Sequence, residues 1–193
     1  MNLLVIPEDF RKDQYILRPI VQALCAAVNR PYANVRVCQD PLLGGVSEAL
    51  RWERQAEIIE RYPQVDVFLL CVDRDGEPGR HASLSGLERR AAGVLSPRRA
   101  FLGCCAWEEL EVWLLAGIID LPKNWRWSEI RAHAHPKEAY FERLARQRGL
   151  AERVGGGRKL LSEVAARNLV RMQQLCPEVA ELRQRLAAAL AAS

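Results

Sequence analysis

The sequence predicts an α/β protein, with a mostly parallel four-stranded sheet flanked by helices and a helical C-terminal extension. Three observations carry this. Four short apolar runs, at 2–6, 33–38, 65–72 and 100–105, alternate with stretches whose apolar residues recur at helical spacing, the pattern of βαβ units. No strand-like run follows residue 105. From 118 onward the chain has an aromatic connector and then helical periodicity alone.

The run 2–6 is apolar enough for a strand buried on both faces. Asp13 is placed to cap a helix reaching about residue 29, with Ile16, Leu17, Ile20, Val21, Leu24 and Val28 on one side. Val35 and Val37 alternate with polar neighbours in 33–38, which suits an edge strand. A turn at 41–45 leads to a polar-faced helix at 46–61, stopped by Tyr62-Pro63. The run 65–72 is the strongest strand in the chain, and a polar loop follows it over 73–82. A helix at 84–95, the fourth strand at 100–105 and a helix at 107–117 complete an α/β domain over 1–117. Past a boundary near 118, with no flexible linker, residues 118–193 form a helical subdomain packed on the first, its helices at 136–148, 158–172 and 177–192.

With 193 residues the chain supports one substantial core and a smaller helical part. Its 49% hydrophobic and 27% charged content is that of a soluble globular protein. No apolar stretch reaches the ~18 residues of a membrane span, and the N-terminus lacks the regions of a signal peptide, so a cytoplasmic location is expected. The six cysteines include no Cys-x-x-Cys pair and read as core residues rather than zinc ligands. A net charge of +4 permits nucleic-acid contact without arguing for it.

The chemistry-bearing feature is Asp73-Arg74-Asp75-Gly76, set directly after the strongest strand. Carboxylates at i and i+2 on a strand end share a side of the chain, and open α/β sheets bind ligands at that edge. The first strand ends the same way, at Glu8. Carboxylates converging on one edge repel unless a cation sits among them, and Mg²⁺ prefers oxygen ligands of this kind. On this reading Asp73 and Asp75 hold the ion, and Glu8 ligates it or acts as general base toward water. Glu108 and Glu111, at i and i+3 on the helix after the fourth strand, are candidates for a second ion. Simpler readings stand beside these: Asp73 and Asp75 as a turn with side-chain hydrogen bonds, and Glu108, Glu109 and Glu111 as acids favoured at a helix start.

The acidic pattern resembles the TOPRIM domain, a compact α/β fold with a Glu after the first strand and Asp-x-Asp after a later one. The segment Glu111-Val112-Trp113-Leu114-Leu115-Ala116 resembles the Glu-x-Trp-Leu-Leu-Ala signature of small stand-alone TOPRIM-like proteins related to the OLD nucleases. The resemblance covers about 1–117. It continues more weakly through Pro136-Lys137-Glu138 and Gly157-Arg158-Lys159. Two positions depart from the pattern: Asp9 stands where the family usually has Gly, and Pro78 stands between Gly76 and Gly79 where a Gly is common. The resemblance implies a Mg²⁺- or Mn²⁺-dependent nuclease acting on DNA or RNA in phage or mobile-element defence. It also implies a separate ABC-type ATPase partner, since the chain has no Walker motif. Glu8, Asp73, Asp75 and Glu111 are the expected catalytic residues, and Glu8, Asp73, Asp75, Glu108 and Glu111 the expected metal ligands. Arg158, Lys159 and Lys12 are candidate contacts to a nucleic-acid backbone. A non-catalytic module of the same fold, binding nucleic acid or protein, is the rival reading. Arg89, Arg90, Arg98 and Arg99 read as a solvated helix end.

Overall fold

The computed structural model describes residues 1–191, so the expected helix end at Ala192 lies outside the described residues. Strand β1 (Asn2–Pro7) leads into helix α1 (Phe10–Ala27) and then to β2 (Asn34–Val37). Helices α2 (Val46–Ala49) and α3 (Trp52–Arg61) precede β3 (Val67–Asp73), and α4 (Arg80–Ala92) precedes β4 (Ala100–Ala106). The four strands pair in the order β2-β1-β3-β4, and every pair is parallel.

Strand alternation sorts the interior into two layers. Val67, Leu69 and Cys71 of β3 face one cluster, which α1 fills with Ile16, Leu17, Ile20 and Leu24. Phe68, Leu70 and Val72 face the other, which α3 and α4 fill with Ile58, Ile59, Leu84 and Leu87. The expected helix at 46–61 is therefore two helices, interrupted at Leu50 and Arg51. Buried Gln55 donates to the Ala49 carbonyl at 2.7 Å across that break.

After β4 come α5 (Glu111–Gly117) and α6 (Trp127–Ala132), the latter not expected. A π-helical turn at Lys137–Phe141 runs into α7 (Glu142–Gln147). Then follow α8 (Arg158–Ala166), α9 (Leu169–Leu175) and α10 (Pro177–Ala191); the expected single helix at 158–172 breaks at Arg167 and Asn168. Asn168 Nδ2 donates to the Gly117 carbonyl at 2.8 Å and ties that break to the end of α5. These helices share one cluster with α1 and the sheet, so residues 118–191 extend the core of one face. All six cysteines are buried and free, as expected. Among the described residues no helix is long and apolar enough to cross a membrane.

Helices α5 and α8 meet at Gly117. A Cβ there would lie 2.5 Å from the Ala165 carbonyl oxygen and 2.6 Å from its Cα, so the approach is backbone to backbone. Gly117→Ala is expected to destabilise the fold by about 1–3 kcal/mol or more, because the obstacle cannot rotate away. A urea midpoint unchanged from wild type would show that the two helices slide apart freely.

Candidate functional site

The strand order decides where a site can form. The chain runs from β1 outward to β2, then returns past β1 to β3, so β1 and β3 are the neighbours at which the direction of winding changes. The crevice at the carboxyl ends of such a pair is the usual ligand position in open parallel sheets. Glu8 follows β1 and Asp73 closes β3. The Asp73 amide donates to Glu8 Oε2 at 3.3 Å, so the Glu8 carboxylate reaches the end of β3, where its charge acts on that of Asp73.

Asp73 turns inward, and its Oδ1 accepts from the Leu110 amide at 2.8 Å. Asp75 does not follow it. It adopts a left-handed conformation with φ 51°, leaves the strand and lies 3.9 Å from Arg80 Nη2. The i, i+2 expectation fails there because β3 ends at Asp73. Glu108 is also left-handed, at φ 58°, and the loops after β3 and β4 clasp through it: its carbonyl accepts from the Asp75 amide at 3.2 Å. Two non-glycine residues in this region at one sheet edge are the local strain that functional loops often carry.

The acids of the 108–111 segment are each neutralised within the protein. Glu108 pairs with Arg74 Nη1 at 2.7 Å and accepts from the Gly76 amide at 2.7 Å. Glu109 accepts from the Lys137 amide at 2.7 Å and pairs with its Nζ at 3.1 Å. Glu111, 5% exposed, takes Arg158 Nε at 2.9 Å and Nη2 at 2.5 Å. Because α5 begins only at Glu111, Glu108 and Glu111 do not share a helix face, contrary to the expectation. Trp113 is core, as its neighbours imply, and its Nε1 donates to Glu178 Oε1 at 2.9 Å beside Arg131.

Arg158 is a correction. It is 6% exposed and bound to Glu111 and the Gly155 carbonyl, so it has no side chain free for a nucleic-acid backbone. Gly155, Gly156 and Gly157, with φ of 68°, 63° and 83°, turn the chain tightly enough to bring it back to the sheet edge. A Cβ on Gly155 would strike the Tyr15 ring at 2.5 Å. Lys12 and Lys159 are exposed, and Lys159 lines a cleft between α1 and α8. Arg99 is likewise not solvated: it donates to the carbonyls of Val65 and Tyr62 at 2.9 and 3.0 Å.

Asp13 does not cap α1. Helix α1 starts earlier, at Phe10, and its N-cap is Asp9, whose Oδ1 accepts from the Arg11 amide at 2.9 Å. Asp13 sits inside the first turn and accepts from the Asp9 amide at 3.0 Å. A carboxylate in the first turn of the helix that follows β1 necessarily shares the edge with Glu8; that spacing was the available signal.

The acids at this edge fall into two sets. Among the described residues no Lys, Arg or His nitrogen lies within 4.0 Å of a carboxylate oxygen of Glu8, Asp13 or Asp73. Burial raises Glu8 to about 7, and the charges of Asp75 and Asp9 add to it against the Asp73 amide and Arg80. Burial also raises Asp13 to about 7, with Glu111 and Glu8 adding repulsion. Asp73 is held well above the usual carboxylate range by burial and by the charges of Glu8, Glu111 and Asp13.

The donors are hard carboxylate oxygens with an uncompensated charge, which is the chemistry Mg²⁺ fits. Among the described residues, however, no three His, Cys, Asp or Glu side chains are arranged to hold a metal ion. The fit is therefore that of an ion held by one or two carboxylates, with water and substrate oxygens completing its shell. A second ion at Glu108 and Glu111 would have to displace Arg74 and Arg158.

The raised groups make stability depend on pH. Glu8 and Asp13, whose folded-state pKa lies above the unfolded value, add stability that is complete below about 4.5 and 3.8 respectively and lost as pH rises through about 7. For Glu8 alone this is about 3 kcal/mol at ~1.4 kcal/mol per unit. In EDTA, Tm is expected to fall by roughly 6–12 °C from pH 4.5 to 7.5. Glu8→Gln flattens that slope; an equal slope in the variant would remove Glu8 from the cluster.

The chain matches no family model and no curated protein. Among solved structures, the C-terminal region of the OLD protein of Xanthomonas campestris pv. campestris aligns with 98% of this chain and 95% of its own, at 15% identity and a TM-score of 0.47.

Proposed function

We propose that the chain is a TOPRIM-like, Mg²⁺-dependent phosphodiesterase, a nuclease acting on DNA or RNA. The observation that supports this reading is the set of uncompensated carboxylates, Glu8, Asp13 and Asp73, at the β1/β3 crevice, beside Glu108, Glu109 and Glu111, each of which is neutralised internally. Bound there, Mg²⁺ supplies Lewis-acid stabilisation to phosphate oxygens. Asp73 is fixed through one oxygen by the Leu110 amide, and its second oxygen is the one proposed to bind the ion. Glu8, with a pKa near 7, exchanges a proton close to neutral pH and is suited to act as general base toward an attacking water. Arg80, 3.9 Å from Asp75, supplies positive charge beside the carboxylates for an incoming phosphate. Lys12 and Lys159 are the exposed cations of the proposal, contacting the nucleic-acid backbone. The resemblance of the α5 segment to OLD-related proteins extends the reading to phage or mobile-element defence with a separate ABC-type ATPase.

The second reading is a non-catalytic module of the same fold that binds nucleic acid or protein. The lack of a three-ligand arrangement among the described residues favours it. Cleavage assays on supercoiled plasmid, single-stranded DNA and RNA with Mg²⁺ or Mn²⁺ separate the two. The nuclease reading expects cleavage that EDTA stops; a folded protein that binds nucleic acid and cuts nothing, with or without an ATPase, belongs to the second.

A further inference from the structure

A cleft of about 570 Å³ opens between the start of α3 and the outer side of α4, away from the carboxylates. Leu50 and Trp52 line it from one side, and Ser83, Gly86, Arg89 and Arg90 from the other. No carboxylate lines it, whereas the cleft between α1 and α8 includes Glu163. Arg89 and Arg90 are exposed, and among the described residues neither has an ion-pair partner within 4.0 Å. Arg90 Cζ stands 6.0 Å from the centroid of the Trp52 ring, at the outer limit of a cation–π contact.

Gly86 is an independent pointer. It lies in the interior of α4, where glycine costs about 1 kcal/mol relative to alanine. Its φ is not positive, and a Cβ there would meet nothing within 4 Å. Neither backbone conformation nor packing requires a glycine at this place. What the missing side chain does provide is an open floor at which a ligand can approach the helix backbone.

An aromatic ring, two guanidinium groups with no acidic partner among the described residues, a hydroxyl and a bare stretch of backbone suit a nucleobase joined to phosphates. We propose that this cleft binds single-stranded nucleic acid, stacking one base on Trp52 and holding the flanking phosphates on Arg89 and Arg90. Only an unpaired base has a face free to enter beside the ring, so the single strand is the committed ligand. Helix α4 begins at Arg80, 3.9 Å from Asp75, and rises about 1.5 Å per residue. Ser83 is therefore ~5 Å and Arg90 ~15 Å along the axis from the carboxylate edge, a span of a few nucleotides. The cleft thus deepens the nuclease reading, on which it rests, by giving the substrate strand a track along α4 to the crevice.

Binding of labelled single-stranded DNA and RNA of about twelve nucleotides, read by fluorescence anisotropy in EDTA, tests the cleft apart from any cleavage. Gly86→Phe fills the floor and is expected to weaken binding about tenfold or more. Arg89→Gln with Arg90→Gln is expected to do the same and to lower the salt dependence. Gly86→Ala, which adds only a methyl group, serves as the folding control and is expected to melt at or above the wild-type temperature. Wild-type binding that survives Gly86→Phe overturns the proposal, as does a preference for the duplex of the same sequence. Tight binding of free AMP would overturn the strand track in favour of a mononucleotide pocket, and wild type that binds no single strand in EDTA overturns it outright. Binding that depends on the cleft in a protein that never cuts would instead sink the nuclease reading and leave the cleft standing.

Discussion

Asp73→Asn is expected to abolish metal-dependent cleavage and, at the same time, to raise the melting temperature measured in EDTA. The two effects have one origin. Asp73 is half-buried and faces the charges of Glu8, Asp13 and Glu111, and among the described residues its side chain accepts only from the Leu110 amide and has no basic partner. At neutral pH its ionised form is therefore a cost to the fold, and an amide of the same shape removes that cost while its oxygen keeps the Leu110 hydrogen bond. The same substitution removes the negative oxygen proposed to hold the ion. Losing several kcal/mol of charge stabilisation at the reacting phosphate corresponds to a rate loss of about 10³-fold or more. Mg²⁺ should raise the Tm of the wild type, by binding the folded state alone, and leave the variant unmoved. A variant that melts lower than wild type in EDTA would show that Asp73 is a structural hydrogen-bond acceptor and that the carboxylate set is not under charge repulsion. A variant that is more stable yet cuts as fast would leave the repulsion intact and take Asp73 out of the chemistry.

The same logic explains which parts of the molecule the sequence makes legible. Strand β3 is readable because a run of apolar residues buried on both faces needs no partner information, and its end at Asp73 marks the sheet edge. Glu8 is readable for the same reason, since a parallel sheet brings strand ends together. Asp75 and Glu108 are misread as to geometry because both enter left-handed turns, and a turn conformation depends on the loop opposite rather than on the residue itself. Asp13 is visible as a helix-start acid, but its place at the crevice follows only once α1 is known to begin at Phe10. Arg158 carries the least local information. Its target is Glu111, 47 residues earlier in the chain, and the sequence offers only three consecutive glycines as a sign that the backbone turns sharply there. Charged residues near a Gly-rich loop suggest a phosphate contact when read locally; a buried carboxylate elsewhere in the fold claims this one first.

That claim leads to the second large effect. Arg158→Met is expected to destabilise the protein by about 3–5 kcal/mol, a fall in Tm of roughly 6–20 °C, because it strands Glu111 as a buried charge. Glu111 already sits near Asp13 and Asp73, so losing its one ion-pair partner among the described residues adds a fourth uncompensated carboxylate to a set of three. The double variant Glu111→Gln with Arg158→Met separates this account from simple loss of packing. If the stranded charge is the cause, the neutral pair recovers most of the loss, since a buried ion pair is worth little net against neutral groups of similar volume. If instead the cost comes from Arg158 no longer stacking on Phe141, 4.7 Å from its Cζ, or donating to the Gly155 carbonyl at 3.0 Å, the double variant stays as unstable as the single one. Recovery of stability with loss of cleavage would further place Glu111 in the chemistry, because an amide there still fills the volume but no longer adds its charge to the crevice. Recovery of both would leave Glu111 and Arg158 as the structural pair that closes α8 onto the sheet edge.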